Sequence, residues 1–286
     1  MISLNAYAKV NLSLDIVGRR DDGYHLLRTI MQSISLADTV TVELTRGEIA
    51  VTSDIAAIPS GKANICYGAV QAFFEEIKRP DLGACVSIVK RIPHGAGMGG
   101  GSADCAAVLH ALNELCGDPL TLNQLIVLGA KLGADVPFCL VGGTCLCEGV
   151  GEIVSPLAPL PKCHIVIAKS IACISTSVAF AEYDKIEKPQ RFDNDGQVAA
   201  LNSGNLKGVA AHMHNIFEVL KQCEQADMIK AKMLELGALG AILTGSGSAV
   251  CGIFESEANA IHCKNELAKT CNFTAIATPV NSQITL

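Results

Sequence analysis

The sequence contains no tryptophan, and aromatics amount to only 4% of its 286 residues, against 50% hydrophobic residues overall. Its interior is therefore aliphatic. Charged residues are also sparse, at 17%, and the formal net charge is −6. A broad nucleic-acid surface normally shows as a basic excess, so that class of function is excluded. No apolar run approaches the ~18 residues of a membrane span, and the opening "MISLNAYAKV" lacks the basic start and long apolar core of an export signal. We expect a soluble cytoplasmic protein with no membrane partner. Paired C-x-x-C units beside histidines are missing too, so no metal site is expected. The thirteen cysteines are irregularly spaced and, without export, are expected as reduced thiols serving as small core hydrophobes.

What is present is enough chain for one large domain or two medium ones. With this charge balance, an anionic ligand has to be held locally, by loop amides, helix ends and a few placed cations. Residues 2–16 alternate: Ile2, Leu4, Ala6, Ala8, Val10, Leu12, Leu14 and Ile16 are apolar and the odd positions are polar or tyrosine. That period marks a half-buried strand, with Lys9 and Asn11 together on the face opposite the core. Shorter strand patterns follow at 39–44 and 48–53, a helix from 64 to about 77, and a strand at 84–90.

That last strand runs into "IPHGAGMGGGSAD" (92–104), after which Ala106, Ala107, Leu109, Ala111, Leu112 and Leu115 recur at helical spacing. Ser102 is placed to cap this helix and Asp104 to lie in its first turn. A second helix at 122–132 ends at Gly133, and the segment after Asp135 carries on into strand. Three prolines in 155–161 mark the candidate domain boundary, giving domains 1–155 and 156–286. The second half opens with the strand "HIVIA" and holds helical stretches near 205–222 and 224–236. A second glycine loop within 240–254, a helix at about 257–270 and a last strand near 273–280, which can return to the first domain, complete it. The order of elements indicates a two-domain α+β protein.

The glycine loop fits two phosphate motifs incompletely. Gly95, Gly97 and Gly100 match G-x-G-x-x-G, but the loop helix leads to a turn at Asp118-Pro119 and another helix, where a dinucleotide site needs a strand ending in an acidic residue. Gly95, Gly100 and Ser102 match the P-loop, but Gly101 stands where its lysine belongs. The physics common to both motifs survives: glycines allow close backbone approach, and a helix start aims free N–H groups at one spot. An anion site suited to a triphosphate is expected.

"PHGAGMGGGSAD" resembles the P-x-x-x-G-L-G-S-S loop of the GHMP superfamily of small-molecule kinases, and the likeness runs in order over nearly the full chain. "AYAKVNLSLDIVGRRDDGYHLL" is similar to the A-K-x-N-L and D-G-Y-H-x-L signatures of the members that act on a cytidine-diphosphate-linked methylerythritol. "LGADVPFCLVGG" and "LTGSGSAVCGIF" resemble their G-A-D-V-P-F-F and C-terminal glycine motifs. The resemblance implies a two-domain GHMP-kinase-like fold and an ATP-dependent, Mg2+-requiring kinase. Its substrate is that small molecule, phosphorylated on the tertiary 2-hydroxyl in non-mevalonate isoprenoid precursor synthesis, and its assembly is a monomer or homodimer. Homoserine- or mevalonate-type kinases are the near alternative, disfavoured by the D-G-Y-H element. A nucleotide-binding regulator without chemistry is the distant one.

By the same resemblance, Asp135 is the base for the acceptor hydroxyl and Lys9 lies beside it, holding it ionised and compensating developing charge. Read alone, Asp135 can equally be a helix N-cap before Pro137, and Lys9 a solvated strand lysine. Pro93, His94, Gly95, Ala96, Gly97, Met98, Gly99, Gly100, Gly101, Ser102 and Ala103 form the ATP loop. Asn11, Tyr24, His25, Thr176 and Phe180 are the substrate contacts, with His25 at the cytosine edge and Phe180 as stacking partner. Departures from the family pattern are Met98 for leucine, Ala103 for the second serine, Cys105 for alanine and Ser177 for proline. Ala103 removes a hydroxyl, so a modestly weaker nucleotide affinity is expected. His212 and His214, and His94 apart from its place in the loop, are read as structural or surface residues.

Overall fold

The computed structural model describes residues 1–169, 176–186, 191–220 and 224–281. The first half runs β1 (Ile2–Arg19), β2 (His25–Thr45), β3 (Ile49–Ser53), α1 (Ile65–Glu76), β4 (Gly83–Val89), α2 (Gly100–Leu115), α3 (Leu122–Ala130), α4 (Val136–Val141), β5 (Thr144–Gly149) and β6 (Ile153–Pro156). The second runs β7 (His164–Lys169), α5 (Thr176–Tyr183), α6 (Asn194–Asn202), α7 (Leu206–Ala211), β8 (His214–Asn215), α8 (Glu224–Glu235), β9 (Gly240–Leu243), β10 (Ala249–Phe254), α9 (Glu257–Leu267) and β11 (Phe273–Ala277). Among the described residues no helix is long and apolar enough to cross a membrane.

Seven strands form one sheet in the order β3-β4-β2-β1-β8, with β5 and β6 branching from the other half of β2. Strand β2 can serve two neighbours because it is 21 residues long: Thr39–Thr45 pair with β4 and Leu27–Gln32 with β5. A second sheet is ordered β11-β7-β10-β9. Helices α1 to α4 cover the first sheet through a core that includes Phe73, Leu109, Leu112, Leu125 and Phe138. The two sheets share a second core, in which Val10 and Leu12 meet Ile165, Ile167, Ile242 and Cys251. The alternate residues Val166, Ala168 and Val250 of the second sheet turn instead to α8 and α9, where Met233 and Cys263 are fully buried. Both faces of β7 and β10 are thus covered, and neither strand has a polar side.

Several expectations are corrected. Strand β1 is not half-buried: from Ala8 to Ile16 both faces are enclosed, and Lys9 and Asn11 are 4% and 0% exposed. The stretch 205–222 is not one helix. It breaks into α7, the two-residue β8 that pairs in parallel with β1, and a 3-10 turn at Ile216–Leu220. The predicted strand 273–280 divides: β11 pairs with β7 in the second sheet, and residues 278–280 return to the first as allowed for, with Ser35 N–H donating to Thr278 O and Val280 N–H to Ser33 O, both at 2.9 Å. The proline segment begins as β6 of the first sheet and then packs Leu157 and Leu160 into the shared core. Eleven cysteines are described, and all are free thiols. Burial pushes the Cys145 and Cys251 thiols up to about 12.

Candidate active site

The glycine loop leaves β4 and enters α2 through Gly99, whose φ of 67° is the left-handed value glycine tolerates best. Gly99, not Ser102, is the N-cap. Ser102 lies in the first turn, and Asp104 lies beyond it, buried. Lys90, at the end of β4, donates to Asp104 Oδ2 at 2.7 Å and to Asp38 Oδ2, forming a buried acid–base–acid cluster beneath the loop. Asp38 Oδ1 accepts from the N–H groups of Arg91 and Ile92, whereas Asp104 Oδ1 has no partner. Burial, and secondarily the Asp38 charge, raise Asp104 to about 7 against the pull of Lys90.

Residues Pro93 through Ser102 line a cavity of about 420 Å³, closed at its other end by Ile58, Pro59, Asn64 and Ile65. Ala103 does not line it. Its methyl is buried in the first core and its N–H donates to Gly99 O at 2.8 Å. A serine hydroxyl at 103 would therefore sit away from the anion site, which removes the physical basis for a weaker nucleotide affinity.

A second cavity of about 780 Å³ lies on the other side of the loop and shares Gly97, Gly99 and Ser102 with the first. At this junction Lys9 Nζ is 3.6 Å from Asp135 Oδ2. Asp135 occupies the N-cap position of α4 but makes no capping hydrogen bond, so its carboxylate is left to face Lys9. A side chain on Gly99 would strike Lys9 Cγ at 2.9 Å. Lys9 is anchored twice over: its N–H donates to Met98 O at 3.0 Å and its Nζ to Asn11 Oδ1 at 2.9 Å.

Asn11 was expected to face the substrate, yet most of its hydrogen-bonding capacity is used internally. Its Oδ1 also accepts from Gly245 N at 2.9 Å and Thr244 Oγ1 at 3.2 Å, and its Nδ2 donates to Thr29 Oγ1 at 2.8 Å. It therefore ties β1 to the turn that follows β9. The same turn grips the glycine loop: the Thr244 hydroxyl shares its one hydrogen between Asn11 Oδ1 and Gly97 O, the latter at 3.3 Å, and at the start of β10 Ala249 N–H donates to Ala96 O at 3.3 Å.

The far end of the larger cavity is aromatic. Tyr24 comes from the turn between β1 and β2, His25 from the start of β2, Phe180 from α5 and Phe217 from the turn after β8. The His25 ring stacks on Phe180 with centroids 4.7 Å apart and an interplanar angle of 22°. Tyr24 is exposed, and Thr176 Oγ1 lies 2.8 Å from Ser246 Oγ. His212 lies 3.5 Å from Asp193, and His214 is buried in β8, stacked on Phe192; neither lines either of these two cavities. Sequence reasoning missed Thr29, Asp184, Thr244 and Ser246, each defined by a partner distant in the chain. The "TGSGS" run was the signal available for two of them.

The family models described as "GHMP kinases N terminal domain" and "GHMP kinases C terminal" match residues 64–143 and 197–272. The 4-diphosphocytidyl-2-C-methyl-D-erythritol kinase of Clostridium acetobutylicum is 40% identical over 273 residues, covering 95% of this chain and 97% of that protein. The chain belongs to the 4-diphosphocytidyl-2-C-methyl-D-erythritol kinase family. The kinase of that name from Caldicellulosiruptor saccharolyticus is 42% identical over 267 residues, with 92% of each chain covered. A crystal structure of 4-(cytidine 5'-diphospho)-2C-methyl-D-erythritol kinase superposes with a TM-score of 0.83 at 31% identity, covering 98% of this kinase and 100% of that chain. Homoserine kinase from Cytophaga hutchinsonii, at 20% identity and a TM-score of 0.76 over 99% of this kinase and 97% of that chain, shares the fold.

Proposed function

We propose that this kinase transfers the terminal phosphoryl group of ATP to the tertiary 2-hydroxyl of 4-diphosphocytidyl-2-C-methyl-D-erythritol, a step in non-mevalonate isoprenoid precursor synthesis. The observation that carries the reading is the pair of cavities that share Gly97, Gly99 and Ser102, with Lys9 and Asp135 where they meet. A phosphoryl group held by the loop amides and the start of α2 lies between donor and acceptor.

The Asp135 carboxylate accepts the hydroxyl proton as the substrate oxygen bonds to phosphorus and the bond to the ADP oxygen breaks. Lys9, fixed by Asn11, compensates the charge that develops. Ile58, Pro59 and Ile65 offer the base of ATP an apolar wall. The Ser102 hydroxyl and Asp135, with phosphate oxygens and water, would hold Mg2+, which would there neutralise phosphate charge. Residues 1–155 form the donor domain and 156–286 the domain completing the acceptor pocket, and both substrates are those of the cytoplasm.

The test is ADP release with and without the acceptor. Turnover with homoserine or mevalonate but not with the cytidyl substrate would replace this reading by the alternative kinases. Asp135→Asn should lower kcat roughly 100-fold or more with ATP affinity retained.

A further inference from the structure

At the aromatic end of the acceptor cavity, the two nitrogens of His25 are in different situations. Nε2 lies 2.6 Å from Asp184 Oδ1. An ionised carboxylate only accepts, so the hydrogen of this bond sits on Nε2. Among the described residues Nδ1 has no hydrogen-bond partner, and the ring lines the cavity. Swinging the ring away is opposed by the Phe180 stack and by the edge of Tyr183, whose centroid is 6.0 Å away. Asp184 is itself held: its N–H donates to Phe180 O at 3.0 Å, and its Oδ2 lies 3.5 Å from Arg19, whose Nε donates to Gly23 O at 3.0 Å. Phe180 and Asp184 are thus carried by one segment, which sets the ring's face and its hydrogen together.

We propose that Asp184 is a positioning residue for base specificity: by holding the hydrogen on Nε2 it makes Nδ1 of His25 an acceptor, which selects an acceptor substrate whose base presents an amino group. The proposal rests on the reading above, in which the acceptor hydroxyl meets Asp135, and on the resemblance, which implies that the cytosine edge meets His25. Cytosine offers an amino hydrogen at the edge where uracil offers a carbonyl oxygen. The amino group donates to Nδ1. The carbonyl oxygen meets a lone pair with a lone pair, which leaves two acceptors facing each other.

The experiment compares kcat/KM at pH 8, where an ordinary imidazole is neutral, for the cytidyl acceptor and its uridyl analogue. The intact kinase should prefer the cytidyl acceptor by about 10- to 100-fold. Asp184→Leu should bring the ratio to within about threefold of unity, mostly through KM of the cytidyl acceptor, and Asp184→Glu should restore much of the preference. A purely structural role would slow both acceptors equally and leave the ratio unchanged, which overturns the proposal.

Nitrogen-15 shifts of His25 in the intact protein read the tautomer without any substrate. A hydrogen on Nε2 and none on Nδ1 is expected, and a proton on Nδ1 overturns the assignment even if Asp184→Leu fails to fold. Absence of turnover with either acceptor by the intact kinase overturns the function beneath the proposal, and the proposal with it.

Discussion

Replacing Gly97 by alanine should open the seam between the glycine loop and the turn after β9. A Cβ built at Gly97 would lie 2.1 Å from Thr244 O and 3.2 Å from Gly247 O, and the residue has a φ of +74°. The left-handed conformation alone costs a non-glycine residue about 1 kcal/mol. Bringing the Cβ to an ordinary contact forces the two segments apart by about 1 Å or more. That movement breaks the bonds from Thr244 Oγ1 to Gly97 O and from Ala249 N–H to Ala96 O, each worth about 1 kcal/mol. The sum is about 3 kcal/mol, or a melting temperature lower by roughly 5 °C for a chain of this length. Because Gly97 lines both cavities, KM for ATP and for the acceptor should rise together. Gly101→Ala is the internal control: its nearest neighbour would be Ile65 Cγ2 at 3.9 Å, and it lies in the first turn of α2, so stability should hold or gain up to about 1 kcal/mol. Thermal unfolding followed by circular dichroism, with ADP-release kinetics on the same samples, measures both effects. A Gly97→Ala protein melting within about 2 °C of the parent, with unchanged KM values, would refute the reasoning.

Asn11→Ala strips the acceptor from the buried Lys9 Nζ and the half-buried Gly245 N–H; a loss of roughly 2 kcal/mol in urea unfolding and a large fall in kcat are expected. For Asp104 the sign follows from its raised value of about 7. The folded state holds that proton more tightly than the unfolded chain, so the stability it contributes is complete below about pH 4 and is lost as pH climbs through about 7. The unfolding free energy of the parent minus that of Asp104→Asn should therefore fall across this window, and urea titrations showing it rise would refute the assignment. Lys9→Met should depress kcat far more than KM for ATP in steady-state assays, since the lysine stands on the acceptor side of the loop.

Where one periodicity ran uninterrupted, the sequence was readable. The alternation of β1, the strand-loop-helix passage from β4 into α2, α3 ending before Gly133, and the run from β9 to β11 were all visible. The first half of β2 was not: His25–Leu36 carries no strict alternation, and what makes it a strand is pairing with β1 on one edge and β5 on the other, which leaves no local pattern. Residues 205–222 carry a helical spacing that tertiary pairing overrides: Ser13 and Leu14 of β1 take His214 and Asn215 as a parallel neighbour. At the site, residue types were legible and partnerships were not. Lys9 and Asp135 could be nominated from their motifs, but the internal use of Asn11 depends on Thr244 and Gly245, and the state of His25 on Asp184. Such bonds leave no local pattern to read.

The tie between Asn11 and the turn after β9 also orders events during synthesis. A nascent chain emerges from its N-terminus, and the donor loop, Lys9 and Asp135 are all made within its first half. Until Thr244 and Gly245 leave the ribosome, however, Asn11 lacks two of the donors that hold it, and the loop lacks the turn that grips Gly97. Only when residues 278–280 close on Ser33 and Ser35 is the stretch of β2 between its pairings with β5 and β4 filled. A chain that stops short of Thr244 therefore carries Lys9, Asp135 and the glycine loop without the turn that holds them in register.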